Sequence, residues 1–254
     1  MTFSLENKSA IITGAASGIG RAAAIRFAQA GAKVCVADLN IEGAEAVAKE
    51  IGSSAFAFQT DVTNESSNNR CVEAAIDAFG SLDIAFLNAG YLGPMEGFDS
   101  TNEELFDRHY AINLKGVFFG LKAVKSKISN GGSVIVTAST AGIIGLAESP
   151  AYSAVKHGVI GLVKASTPAF AERGVRVNAL CPGAVSTPML GDGDTLIVDP
   201  EALNRVPLRD KGSAQHIAEA ALWLAHPASG FVNGQAHIVD AGLLSTFVPS
   251  PTVP

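Results

Sequence analysis

The sequence predicts an α/β fold, a doubly wound parallel sheet of about seven strands flanked by helices, in one domain over residues 1–254. Three observations predict it. Short apolar or β-branched runs alternate with helix-length segments, as a parallel sheet with crossover helices requires. The first run, Ser9 to Thr13, passes through a glycine turn into an Ala-rich amphipathic stretch, Arg21 to Ala30, closed by Gly31. The chain is 254 residues long, 48% hydrophobic and 17% charged, which supplies a large core. No repeat, low-complexity tract or linker divides it.

Composition also excludes function classes. A formal net charge of −6 and no Lys/Arg run leave no basic face for nucleic acid. The longest apolar runs are strand-sized and the stretch Met1 to Lys8 is polar, so no membrane span or signal peptide is expected, and a soluble, cytoplasmic protein is. Cys35, Cys71 and Cys181 are odd in number and far apart, with neither disulfide framework nor metal-ligand spacing. They read as small buried apolar residues, and no metal site is expected.

The first turn is Gly14-Ala-Ala-Ser17-Gly18-Ile19-Gly20. Between a strand and a helix, such a turn aims free helix amides at an anion, and its glycines let a pyrophosphate approach the backbone. A second strand, Lys33 to Ala37, ends at Asp38, eighteen residues beyond Gly20, where a carboxylate accepts hydrogen bonds from an adenosine ribose. That carboxylate repels a 2′-phosphate, and no Arg or Lys lies in the loop or just after Asp38, so NAD is expected rather than NADP. Helix-like Glu42 to Ile51, a third strand (Ala55 to Gln59) and helix-like Glu65 to Phe79 follow. A fourth strand ends at Leu87-Asn88-Ala89-Gly90, where an Asn and a Gly fit a close backbone approach to ligand or a plain turn equally well.

Asn102 to Ile128 has helical periodicity with a polar Asn113 inside it, which must find partners; a side chain bonding a neighbouring carbonyl in a helix kink would satisfy it. A fifth strand, Gly132 to Thr137, runs into Ala138-Ser139-Thr140, placing Ser139 at a strand's C-terminal end, where ligands of open α/β sheets sit. Thirteen residues later comes Tyr152, and four beyond it Lys156. On a helix these two share a face, and a fixed positive charge near a phenol lowers its pKa from about 10 toward a working range. An isolated Tyr-x-x-x-Lys is also an ordinary helix pattern; its company gives it weight. His157 is rotated about a hundred degrees round the helix from Lys156 and completes no Ser/His/Asp arrangement.

The Gly14-x-x-x-Gly18-x-Gly20 spacing, preceded by Thr13, resembles that of the short-chain dehydrogenase/reductase family, and the resemblance extends from about Leu5 to Gly242. It implies a Rossmann fold and a nicotinamide cofactor. Asp61 and Val62 resemble the pair flanking the adenine, and Asn88-Ala89-Gly90 the family's Asn-Asn-Ala-Gly motif with Leu87 for its first Asn. Asn113, Ser139, Tyr152 and Lys156 match the catalytic tetrad, Asn113 holding a water that leads to the lysine; Ala138 replaces the first of the usual two serines. After a sixth strand, Arg176 to Leu180, Cys181-Pro182-Gly183 resembles the Pro-Gly motif, and the resemblance assigns Pro182, Gly183, Val185 and Thr187 to the nicotinamide side. Ser17, Ile19 and Leu39 join the cofactor set with their motifs.

The stretch 183–212 has few periodic apolar positions and is read as a substrate lid or a long surface loop. Pro168 is expected to bend or end the helix that begins near Tyr152. Ser213 to Ala225 reads as a helix. Gly234 to Gly242 resembles the family's last strand, which implies a homo-oligomer, usually a tetramer. The tail 243–254, with three prolines, Phe247 and Val248, docks on a neighbour or is loose.

The expected reaction is reversible hydride transfer between NAD and a carbinol carbon. Tyr152 exchanges the hydroxyl proton, Ser139 holds the oxygen, and Lys156 depresses the tyrosine pKa and binds the ribose. At the positions that the resemblance assigns to the substrate pocket, Leu92, Pro94, Met95, Ile143, Ile144, Leu146, Met189 and Leu190 favour a mainly apolar, cyclic or aromatic secondary alcohol or ketone, with Glu148 a polar exception. The alternatives are an NADPH-dependent carbonyl or 3-oxoacyl-thioester reductase, and a non-catalytic NAD-binding regulator.

Overall fold

The computed structural model describes residues 3–190, 206–209 and 211–245. Its main sheet has seven parallel strands: β1 (Ser9–Thr13), β2 (Lys33–Asp38), β3 (Ala55–Gln59), β4 (Ile84–Leu87), β5 (Ser133–Thr137), β6 (Arg176–Pro182) and β9 (Ala236–Val239). Their spatial order is β3-β2-β1-β4-β5-β6-β9. The central strands β1, β4 and β6 are buried at every residue, as strands covered on both faces must be. Helices α1 (Gly18–Gln29), α2 (Ile41–Ile51) and α7 (Ala214–Ala225) cover one face around Ile12, Phe27, Phe86 and Leu222. Helices α3 (Glu65–Phe79), α5 (Gly116–Lys125) and α6 (Pro150–Ala171) cover the other around Ile11, Val124, Val136 and Val159. Cys35 and Cys71 are buried side by side in that second layer, and Cys181 is buried at the end of β6. No described helix is long and apolar enough to cross a membrane.

The strand order reverses between β1 and β4, and a ligand crevice opens at such a switch point beyond the strands' C-terminal ends. Asn88 ties the reversal together. Its Nδ2 donates to the carbonyl of Thr13 (3.1 Å), and its Oδ1 accepts from the Thr137 hydroxyl (2.9 Å), so one side chain joins the ends of β1, β4 and β5. Thr13 Oγ1 accepts from the amides of Asn88 (2.9 Å) and Ala89 (3.1 Å). Leu87, which stands for the first Asn of the motif it resembles, packs into the apolar layer.

Three elements differ from the sequence expectation. The segment Asn102 to Ile128 is not one helix. It is α4 (Glu103–His109), a π-helical turn (Tyr110–Lys115) and α5, and the wide turn carries Asn113 fully into the interior. Pro168 does not end α6, which continues to Ala171; the hydroxyls of Ser166 and Thr167 bond back to Val163 O at 3.0 and 2.9 Å in the turn before it. A two-residue strand β7 (Val185–Ser186) pairs in parallel with β8 (Gly212–Ser213), a link too short to carry a sequence period. Most of the expected lid, residues 191–205 and 210, and all of the tail beyond residue 245 lie outside the described residues.

Asn88→Ala removes partners from three strand ends at once. It is expected to lower the unfolding free energy by about 2–3 kcal/mol, read by urea denaturation. A loss under about 0.5 kcal/mol would mean the strand ends are held by other bonds.

Candidate active site

Four helices are capped by their own side chains, and the one at the glycine turn is not. Asn40, Asn64, Asn102 and Ser213 cap α2, α3, α4 and α7. Ser17, at the start of α1, makes no side-chain cap, and α1 has no acidic residue in its first turn. Its leading amides are therefore available to an anion. Gly14 and Gly18 have φ of +65° and +53°, a conformation side chains resist, and a Cβ on Gly20 would sit 2.0 Å from the Gly14 carbonyl oxygen. A Cβ at Gly14 would also strike Ala89, so the turn and the Asn88–Gly90 strand end form one wall. Thr187 closes the opposite side, its Cβ 3.3 Å from where a Gly18 Cβ would stand. These residues fit a dinucleotide: bare backbone with free amides, flanked by polar strand ends.

Asp38 sits at the end of β2 with half its work already assigned. Oδ2 accepts from Ala16 N and Oδ1 from Asn40 N, both at 2.9 Å, so the carboxylate braces the glycine turn while leaving lone pairs for a ribose. Leu39 beside it is 65% exposed and able to cover an adenine edge. Asp61 accepts from the amide and hydroxyl of Thr63 (2.9 and 2.7 Å), fixing the turn that presents Val62. Val62, Thr13, Leu87, Ala89, Ile112 and Gly116 line a small, partly open recess on this side of the crevice rather than beside Tyr152. Beyond β6, Gly183 packs so closely on Asp240 that a Cβ would lie 2.9 Å from its Cβ. Pro182 and Val185 are buried beside it, and Thr187 Oγ1 faces the Val185 carbonyl at 3.4 Å.

The four candidate catalytic residues converge from three elements. Tyr152 and Lys156 lie one turn apart on α6, the ammonium 5.4 Å from the phenol ring centre. Lys156 is 2% exposed and donates to the Thr137 carbonyl at 2.9 Å. Ser139 follows β5, its Oγ accepting from Ala141 N at 3.1 Å. Gly90 lies between Asn113 and Lys156: a Cβ there would be 3.1 Å from Asn113 Oδ1 and 3.8 Å from Lys156 Nζ. Asn113 does not bond a neighbouring helix carbonyl, as the sequence suggested. It clamps the Tyr91 peptide across the cleft, Nδ2 donating to Tyr91 O (2.8 Å) and Oδ1 accepting from Tyr91 N (2.9 Å).

The electrostatics also differ from expectation. The Tyr152 ring keeps some exposure, but its hydroxyl lies inward, where burial pushes the phenol up to about 12 and Ser139 pulls it only part of the way back. Burial likewise pulls Lys156 down to about 8. The protein by itself therefore holds a neutral phenol beside a costly cation, and the lysine does not pre-form a phenolate. Burial raises the Cys181 thiol to about 11, so it stays un-ionised near Ser139. His157 bonds its own helix, through Nδ1, to the Ser153 carbonyl at 2.9 Å and faces away from the cleft.

Two residues in the site carried no strong sequence signal. Thr137, a mid-motif strand residue, holds both Asn88 and Lys156. His109 is fully buried, its ring centre 5.2 Å from that of Tyr91 and 5.8 Å from that of Tyr152. Its spacing of four from Asn113 on a helix was the available clue. Of the residues expected to line the substrate pocket, Ile143, Ile144 and Met189 are 39%, 51% and 43% exposed, Leu146, Met95 and Leu190 are half-buried, and Glu148 is exposed. Leu92 is buried and Pro94 exposed.

A family model described as enoyl-(acyl carrier protein) reductase matches residues 14–244. Cyclohexanol dehydrogenase of Acinetobacter sp. (strain SE19) is 34% identical over 96% of this chain and 98% of its own. Sorbitol dehydrogenase of Cereibacter sphaeroides is 37% identical, over 94% and 98%. The crystal structure of 3-ketoacyl-(acyl-carrier-protein) reductase from Brucella melitensis complexed with NADH superposes with a TM-score of 0.87 at 34% identity, over 94% of this chain and 99% of that one. With the switch-point crevice, the glycine turn and the Ser, Tyr and Lys side chains in one cleft, these matches establish that the chain belongs to the short-chain dehydrogenase/reductase family of oxidoreductases.

Proposed function

We propose that this protein is an NAD(H)-dependent dehydrogenase that interconverts a secondary alcohol and a ketone on a mainly apolar, cyclic or aromatic substrate. The observation that carries the reading is the convergence of Ser139, Tyr152 and Lys156 beside a free-amide helix start whose flanking strand ends in Asp38. Gly14, Ser17, Gly18, Ile19 and Gly20 would hold the pyrophosphate, Asp38 and Leu39 the adenosine ribose and base, and Asp61 and Val62 the adenine edge. Asn88, Ala89 and Gly90 form the central wall, and Pro182, Gly183, Val185 and Thr187 the nicotinamide side. When bound, NAD supplies the hydride acceptor and a positive ring charge. Tyr152 takes or gives the hydroxyl proton, Ser139 orients the oxygen, and Lys156 stabilises negative charge on the phenol. Asn113 fixes the wall opposite Lys156 through Tyr91. The cyclohexanol dehydrogenase among the relatives favours a ring substrate, as do the exposed apolar side chains expected at the mouth.

The carboxylate of Asp38 favours NAD over NADP, because no described basic side chain bonds it or stands in the glycine turn. A tetramer fits Phe106, Tyr110 and Phe118, spaced along one stretch and 45–48% exposed. Light scattering reads that mass directly.

Turnover is tested by nicotinamide absorbance with NAD or NADP and a panel of cyclic, aromatic and aliphatic secondary alcohols. NAD is expected to be preferred on ring alcohols, and Tyr152→Phe to lower kcat by about 10²–10⁴-fold without weakening NADH binding. Preference for NADP would overturn the Asp38 assignment, and an unaltered rate in the variant would overturn the role of Tyr152. Lys156→Met separates function from stability. Removing a cation whose pKa is lowered by burial is expected to raise the unfolding free energy near neutral pH by about 1–3 kcal/mol while abolishing turnover. The sign follows from linkage: the unfolded chain holds the proton more tightly than the folded one, so wild-type stability should rise with pH above about 8, and the variant's should not.

A further inference from the structure

His109 is a buried titratable group in the cleft that the proposed reaction does not use. It is 0% exposed at the last turn of α4, directly before the π-helical turn, with its Nδ1 3.3 Å from Asn113 Nδ2. Its Nε2 is buried without a partner among the described residues. The tautomer is set by its neighbours. Asn113 must present Oδ1 to the Tyr91 amide and Nδ2 to the Tyr91 carbonyl, so its orientation cannot reverse without losing both bonds. The second hydrogen of Nδ2 then faces His109 Nδ1, which has to be an acceptor, leaving the ring proton on Nε2.

We infer that His109 is a positioning residue that works as the uncharged imidazole: it accepts from the Asn113 amide, completes the Asn113–Tyr91 clamp, and so fixes the loop that leaves Gly90 for the substrate mouth. A protonated ring would turn Nδ1 into a donor facing a donor. The acceptor near enough to attract it is the Tyr91 carbonyl, which already takes the Asn113 bond. Charging His109 therefore sets it in competition with Asn113 for the same oxygen. The ring also lies between two aromatic neighbours, Tyr91 and Tyr152, and the far face of Tyr91 carries the Arg108 guanidinium at 4.3 Å from the ring centre. Releasing Tyr91 would loosen that whole row.

The groups acting on His109 keep it neutral. Burial lowers its pKa first; Lys156 on α6 and Arg108 beside it on α4 push the same way, and the Tyr91 carbonyl opposes them. Tyr152, whose ring also faces it, is uncharged well past neutrality. The ring therefore charges only as pH falls below the ordinary histidine value of about 6.5. Between about pH 5 and pH 7 Lys156 stays charged and Tyr152 neutral, so a change in the clamp over that window belongs to His109.

The clamp can be read without turnover, by amide hydrogen exchange of segment 88–95 corrected for intrinsic pH dependence. The kinetic consequence alone rests on the proposed dehydrogenase reaction. In the wild-type protein, protection at Tyr91 is expected to fall by about tenfold from pH 7 to pH 5, the loss of one hydrogen bond's worth of stability. H109N, whose carboxamide oxygen stands in for Nδ1 without titrating, should hold its protection across the window. H109F should show the low protection at both pH values. With a turning-over substrate, H109F should raise KM more than it lowers kcat, and H109N should lose the acid limb of kcat/KM. Equal protection in all three proteins, or a pH-dependent loss that persists in H109N, would overturn the inference. If H109F does not fold, H109N against wild type still decides it, and absence of turnover on every alcohol would count against the reaction and not against the clamp.

Discussion

A lysine ammonium held inside the protein is the constraint on which the rest of the cleft depends. Lys156 has almost no exposure, and among the described residues its ammonium makes one hydrogen bond, donating to Thr137 O at 2.9 Å. A buried cation with so few partners is costly, by several kcal/mol in general. The fold meets that cost by placing the ammonium at the polar edge of the sheet. There β5 ends, Asn88 ties three strands together, and Gly90 leaves space that a Cβ would fill. The π-helical turn serves the same edge, since it swings Asn113 inward where an ordinary α-helix would continue past. An unpaired charge and bare backbone meet at this edge, as is usual where a ligand is to complete the balance.

The two shifted groups on α6 describe a site that is incomplete by itself. Tyr152 rises to about 12 and Lys156 falls to about 8, each chiefly through burial. Both shifts favour the neutral form, so the ion pair that catalysis wants, phenolate beside ammonium, is disfavoured until more charge and more hydrogen bonds enter the cleft. A dinucleotide held as proposed would bring ribose hydroxyls, phosphates and, when oxidised, a cationic ring to the region the glycine turn and Thr187 enclose. Acid–base competence thereby becomes linked to cofactor occupancy, which suits an enzyme whose proton transfer is useful only beside a hydride acceptor.

Strand, glycine turn, helix and terminal Asp were legible because each rests on local chemistry: φ above zero at Gly14 and Gly18, β-branched runs buried on both faces, Asn and Ser caps at helix starts. The parallel sheet of about seven strands followed from the same alternation, and the order of its strands did not. What stayed illegible was relational. Asn113 and Tyr91 are 22 residues apart and meet only because a π-turn rotates one toward the other. No period in Asn102 to Ile128 announces an extra residue in a turn. The tyrosine's upward shift was missed because the spacing of Tyr152 and Lys156 shows that they are close but not how deeply both are buried. The path of α6 through Pro168 depends on packing that a proline count does not contain.

The account stands or falls on the charge state of Tyr152, and phenolate absorbance measured as a difference between wild type and Tyr152→Phe reads it directly. At about pH 10, where an ordinary phenol is half ionised, the account predicts no Tyr152 phenolate in the protein alone and a clear signal with saturating NAD. A phenolate already present without cofactor, or none in either state, would contradict it.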